Sequence, residues 1–230
     1  MWSKPWDGWR SFSLSPRSGR RDKPSIDGRV RANPVGGPGR TPLRATWLVL
    51  PTVLGGMGHV AVLKTNVLSS LAVPIDRGAR WRGRPVFGAN KTWRGVALMT
   101  GLTALASGMQ AALLRRAGSR SGLEVLQSAR VNSWLAGAVC GLTYCLAELP
   151  NSFVKRQLGI APGGHATRAS RLQYVVDQAD SVAGCLVALR LLYRSTARDL
   201  LAVFALGIAI HIGIDQLIYA IGVKSRSPKA

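Results

Sequence analysis

The sequence predicts an all-α, polytopic integral membrane protein of about five transmembrane helices, with two functional loops on one face. Three observations predict it. Five stretches approach the roughly 17–25 mostly apolar residues that a spanning helix needs. The formal net charge of +21 lies between those stretches and seldom inside them. Finally, 47% hydrophobic residues and a positive mean hydropathy are rarely combined with such charge in a soluble domain. Helices are the expected spanning form, because lipid offers no partner to open backbone groups.

Residues 1–45 read as a basic disordered tail, rich in Arg, Ser, Gly and Pro. They contain no apolar run, so no signal peptide is expected. A basic tail can bind nucleic acid or anionic lipid. A solvated tail is the preferred reading, and no nucleic acid is expected as a partner. Residues 46–230 form the membrane-embedded domain. Its expected spans are Trp47–Leu63, Gly95–Leu114, Ser133–Leu149, Ser181–Tyr193 and Asp199–Ile221. The fourth is short. It reaches spanning length only if its helix begins near Leu172, which draws Asp177 and Asp180 into the first turns. Glycines such as Gly137, Gly141 and Gly184 punctuate the spans, and small residues let membrane helices approach closely. Cys140, Cys145 and Cys185 have no zinc or disulfide spacing and read as packing residues.

Two long polar loops, Asn66–Arg94 and Pro150–Arg171, each follow an odd-numbered span. Five crossings therefore place them on the same face, where they can meet. The positive-inside rule leaves that face unassigned, because the basic tail and Arg115, Arg116, Arg120 and Arg130 lie on the other side.

The first loop contains Gly88-Ala89-Asn90-Lys91-Thr92-Trp93-Arg94-Gly95. Its glycines allow close backbone approach, Lys91 supplies a point charge and Thr92 a hydroxyl. It also leads into a helix N-terminus, which favours anions. The other reading is an interfacial loop whose Arg and Trp residues anchor the bilayer surface. In the second loop, the adjacent cations Lys155 and Arg156 suit phosphate oxygens or form an ordinary positive flank. Glu148 sits where the third span leaves the membrane. Asp177 and Asp180, three apart, share a helix face. Mg²⁺ takes one or two carboxylates, water and substrate phosphates; alternatively the acids serve the helix dipole. His211 and Asp215, four apart, could pair on the fifth span. His59 and Lys64 read as interfacial, and His165 as a loop residue.

Three motifs in order then resemble one family. Ser152-x-x-Lys155-Arg156, Pro162-Gly163-Gly164 and Asp177-x-x-Asp180-Ser181 resemble the signature region of the CTP-dependent phosphatidate cytidylyltransferases. The match is closer to their archaeal branch, the CDP-archaeol synthases, through Phe87-Gly88-x-Asn90-Lys91-Thr92-Trp93-Arg94-Gly95 and Leu158-Gly159-Ile160-x-Pro162-Gly163. The resemblance covers roughly residues 47–226. It departs after Pro51, where Thr52-Val53-Leu54 replaces the family's Ala-Asn pair.

The resemblance implies Mg²⁺-dependent transfer of CMP from CTP to a lipid phosphate, either phosphatidate or an archaeol-type ether lipid phosphate. It implies catalytic roles for Lys155, Arg156, Asp177 and Asp180. Gly88, Asn90, Lys91, Thr92, Arg94 and Ser152 would shape the nucleotide and phosphate site. Asp177 and Asp180 would hold the metal, with Glu148 as a weaker candidate. The expected location is the cytoplasmic membrane among its lipids, with the active face toward the cytosolic nucleotide pool. A CDP-alcohol phosphatidyltransferase is the alternative enzyme, although that pattern needs Gly where Ser181 stands and two further aspartates. A non-enzymatic transporter or scaffold is the other alternative.

Overall fold

The computed structural model describes residues 41–63, 65–117, 130–162 and 170–220. Among these, five long helices dominate: α1 (Thr41–Leu63), α2 (Trp93–Ala117), α3 (Ser133–Gln157), α4 (Ser170–Leu192) and α5 (Ala197–Ala220). Each packs on its sequence neighbours, and α1 also packs on α5, so the helices close into a ring. Small residues set the spacing. A Cβ at Gly141 would lie 2.7 Å from the Met99 carbonyl oxygen, so only glycine lets α3 lie so close to α2.

Among the described residues, three helices are long and apolar enough to cross a membrane: Thr41–Val62, Trp93–Arg116 and Ala197–Ile214. The expected third and fourth spans fall short by this measure. Helix α3 carries Glu148, Lys155 and Arg156, and α4 carries Asp177, Asp180 and Arg190, which lower their apolarity. All five helices nevertheless expose large apolar side chains outward, including Leu135, Leu142 and Leu146 of α3 and Val175, Val187 and Leu191 of α4. A monomer in water rarely shows so much exposed apolar surface.

Two boundaries differ from expectation, and a third falls close to it. Helix α1 begins at Thr41, so the last residues assigned to the tail form its first turn; residues 1–40 lie outside the described residues. Helix α3 does not stop at Leu149. It runs through Pro150 to Gln157, and so takes in the first turns of the expected second loop. The helix loses one backbone hydrogen bond at the proline, a defect that membrane helices tolerate. The stop is Gly159, with φ of 77°. Its N–H donates to the Arg156 carbonyl, and the Ile160 N–H donates to the Lys155 carbonyl, both at 3.0 Å. This pair of bonds closes a helix on a left-handed residue. Helix α4 begins at Ser170, close to the expected start near Leu172, so Asp177 and Asp180 fall within its early turns.

Between α1 and α2 the chain is locally ordered. Two short antiparallel strands, β1 (Arg80–Trp81) and β2 (Arg84–Pro85), form a hairpin around Arg82 and Gly83. Both turn residues have positive φ, 51° and 79°. That geometry matches the twist of a two-residue hairpin.

At the end of the ring where α1, α3 and α5 begin, Arg44 of α1 pairs with Asp199 of α5 at 3.2 Å. Asp199 also accepts from the Thr196 N–H and hydroxyl at 2.9 Å, capping α5. The core at this end is apolar, with Ala45, Leu48, Leu189 and Val203 buried together. Cys140 and Cys185 are buried free thiols, as their apolar surroundings led one to expect.

A carboxylate pair facing a glycine loop

The site builds from α3 and α4 at the other end of the ring. Helical periodicity carries Glu148, Asn151 and Lys155 along one stripe of α3, while Asp177 and Asp180 share a face of α4. The two stripes meet. The Asn151 amide donates one hydrogen to Asp177 Oδ1 and the other to Asp180 Oδ2, each at 2.7 Å. Lys155 Nζ lies 2.5 Å from Asp177 Oδ1. Asp180 Oδ1 accepts from the Ser181 N–H at 2.6 Å and the Ser181 hydroxyl at 3.0 Å. The two carboxylates are thus held at a common amide, with one cation beside the first.

Arg156, the next residue, turns toward the glycine loop. Its side chain is buried at 6% exposure, yet Nε and Nη1 have no hydrogen-bond partner among the described residues. A buried guanidinium with unmet donors is costly unless an anion completes it. Gly88 lies against it. A Cβ there would stand 3.3 Å from Arg156 Cδ and from Pro162 Cγ, and the residue holds φ of 87°. Only glycine meets both conditions readily. The two basic segments therefore touch, and further bonds join them: Arg84 donates to the Gln157 carbonyl, and Gln157 Nε2 to the Pro85 carbonyl at 3.2 Å.

The loop itself is organised by Asp76. One carboxylate oxygen accepts from the Phe87 N–H at 2.8 Å and the Gly88 N–H at 3.0 Å, and the other from the Gly78 N–H at 3.0 Å. Its slight burial works to raise the carboxyl pKa. These three donors outweigh that and hold it below the ordinary carboxylate value.

The remaining residues named from sequence divide. Lys91 Nζ pairs with Glu148 Oε2 rather than standing free. Thr92 caps α2, its hydroxyl accepting from the Gly95 N–H at 3.2 Å. Asn90 is exposed at the rim. Ser152 is buried one turn before Arg156. Arg94 points elsewhere: Nη2 donates to the Val62 carbonyl at 2.9 Å and to the Thr65 carbonyl at 2.6 Å, closing the end of α1. His211 meets Tyr144, with Nε2 3.1 Å from the hydroxyl; the Asp215 side chain, His165, Lys64 and Gly163–Gly164 lie outside the described residues.

Glu148 joins no metal cluster. Among the described residues no three His, Cys, Asp or Glu side chains are grouped to hold an ion. The donor set that does exist, two adjacent carboxylates of α4 bridged by the Asn151 amide, fits Mg²⁺ that draws its other ligands from phosphates and water.

Sequence reasoning passed over Asn151 and Asp76 as site residues. Asn151 was legible once α3 is continued through Pro150, because 148, 151 and 155 then fall on one face. Asp76 had no signal beyond an acid in a basic, glycine-containing loop.

Comparison with known proteins places the chain in one family. Residues 42–227 match the family model described as CarS-like, CDP-archaeol synthase. A CDP-archaeol synthase of Hyperthermus butylicus is 32% identical over 152 residues, 65% of this chain and 73% of its own length. One of Halobacterium salinarum is 30% identical over 190 residues, 78% of this chain and 93% of its own. A solved structure described as an intramembrane enzyme for archaeal membrane lipids biosynthesis superposes with a TM-score of 0.53 at 25% identity, covering 76% of this chain and 94% of that one.

Proposed function

This chain is a membrane enzyme of the CDP-archaeol synthase family, and from that premise we propose that it transfers CMP from CTP to an archaeol-type ether lipid phosphate. An oxygen of the lipid phosphomonoester attacks the α-phosphorus of CTP. The bond from that phosphorus to the β-bridging oxygen breaks, and pyrophosphate leaves with the electron pair. The product is a CDP-lipid with a new phosphoanhydride. The carrying observation is the meeting of Asp177 and Asp180 with Asn151 and Lys155, beside the unpartnered donors of Arg156.

A phosphomonoester has a second pKa of about 6 and is largely dianionic at neutral pH. The nucleophile needs no strong general base, so no Ser-His or Cys-His pair is required. The demand is to hold two polyanions in line and screen their repulsion. Arg156 offers two donors to phosphate oxygens, and Lys155 places a mobile cation at the same edge. Gly88 leaves room for a phosphate against the loop backbone, which Asp76 holds in shape. Asn151 keeps the two carboxylates adjacent. Asp177 and Asp180 would hold Mg²⁺, which when bound neutralises charge on the phosphates and leaving group.

All five helices cross the membrane in this reading, since α3 and α4 turn their polar stripes inward and their apolar ones outward. The loop holding Gly88 and the end of α3 lie on the cytoplasmic face of the cell membrane, where CTP is found. Phosphatidate would serve as a poorer acceptor. The test is purified protein with CTP labelled at the α-phosphate, with and without Mg²⁺, against a panel of ether and ester lipid phosphates. Label should enter the lipid only with Mg²⁺ and fastest with the ether acceptor. Label entering no lipid would refute the reading.

A further inference from the structure

A cavity of about 390 Å³ is lined by residues of all five helices, and the exposed Met57, Val60 and Leu217 are among that lining. On α1 its lining runs from Leu48 to Ala61, and on α5 from Val203 to Leu217. At about 1.5 Å of rise per helical residue, it extends roughly 20 Å along the axes. Its polarity is asymmetric. His59, Tyr144 and His211 lie toward the carboxylate end, whereas Leu48, Leu189 and Val203 form the far end. The polar end is tied to the site. Val182 of the lining follows Ser181, whose hydroxyl donates to Asp180 at 3.0 Å. The apolar end stops short of the Arg44–Asp199 pair, whose side chains are 3% and 1% exposed. A buried, paired charge cannot be displaced cheaply by hydrocarbon.

We propose that this cavity receives one hydrocarbon chain of the lipid phosphate, head toward Asp180, and that its closed floor sets an upper limit on the chain length accepted. The inference rests on the lipid-phosphate reading above and adds selection by length. An amphiphile fits because the lining is apolar along most of its length, with Thr52 the exception on α1, and its aromatic and histidine groups gather where the reacting head must emerge. The Tyr144–His211 bridge lies at the level of the linkage between head and chain.

Two glycines supply a clean test. Gly56 lines the cavity, and an added Cβ there meets nothing within 4 Å. Gly101 on α2 also meets nothing but lies outside the lining. Gly56→Leu adds side-chain bulk to the cavity wall from a Cβ position with open space around it, and Gly101→Leu is the matched control. Rates would be measured on full-length protein with lipid phosphates that differ only in chain length. Gly56→Leu should raise KM about tenfold for the longest accepted chains, spare the shortest, and leave kcat for the shortest near the wild-type value. Gly101→Leu should keep the wild-type profile. An unchanged profile in Gly56→Leu overturns the proposal.

A lipid phosphate with a photoreactive diazirine at the chain terminus gives an answer independent of turnover. Label on Leu48, Leu189 or Val203 supports the cavity. Label confined to outward-facing residues such as Leu54 or Leu201 overturns it. If no variant turns over any lipid, the reaction assignment fails, and the labelling still decides the cavity.

Discussion

Two acid–base pairs bridge this helix ring, and their surroundings are opposite. At one end Arg44 and Asp199 lie 3.2 Å apart, 3% and 1% exposed, with a capping threonine and apolar neighbours. At the other end Lys155 and Asp177 lie 2.5 Å apart, 18% and 21% exposed, with a second carboxylate and a bridging amide at hand. The first pair is dry, and it joins two helices. The second is open to ligand, with a surplus of acceptors on α4 and of donors on Arg156. The same residue types serve structure in one place and chemistry in the other, and access decides which.

The largest expected effect falls on the open pair. Asp177→Asn or Asp180→Asn should lower cytidylyl transfer at least about a hundred-fold, as for loss of a group that stabilises transition-state charge. Membrane insertion and melting temperature should hardly change. Unfolding of either variant would make the open pair structural as well and erase the contrast.

Next comes the dry pair. Asp199→Ala takes the carboxylate away from a buried guanidinium and from the first turn of α5, so it should cost about 3–5 kcal/mol of stability. Thermal or denaturant unfolding in detergent would measure that loss, with transfer activity retained at a permissive temperature. Loss of activity without loss of stability would place Asp199 in the chemistry.

A smaller effect sharpens the assignment of Lys155. Lys155→Ala should weaken transfer several-fold to about tenfold, with partial rescue by Lys155→Arg, the range expected for a phosphate contact with a charge-assisted bond. An unchanged rate would place this cation outside the site.

The smallest effect concerns the loop. The Asp76 carboxyl is held below its ordinary value of 3.8 by three backbone donors. Its stabilisation of the loop is therefore fully present above that value, and is lost only as pH falls through the lowered one. Amide exchange at Phe87 and Gly88 should stay protected at pH 5 and lose protection in stronger acid. In Asp76→Ala the protection should be missing at every pH. Equal protection in both proteins would show that the hairpin alone shapes the loop.

Much of this was legible in the sequence. Apolar run lengths located all five helices, and the i, i+3 spacing of Asp177 and Asp180 placed both on one face of α4. The number of crossings put the glycine loop and Lys155–Arg156 at a common end. The missed features share a cause. Pro150 and the polar residues after it suggested a loop, while the geometry that ends α3 depends on the left-handed Gly159 nine residues later. Asn151 was hidden by that misplaced boundary. Arg94 and Lys91 looked like phosphate ligands by type, but partners distant in sequence, the α1 carbonyls and Glu148, claim them in the fold. Residue type predicts capacity, and long-range packing decides who uses it.

The most direct measurement sets the two pairs side by side in one transfer assay. Wild type, Asp177→Asn and Asp199→Asn would be compared below the melting temperature of all three, with α-labelled CTP and an ether lipid phosphate. The account predicts labelled lipid from wild type and Asp199→Asn, and almost none from Asp177→Asn. Labelled lipid from Asp177→Asn at the wild-type rate would contradict it.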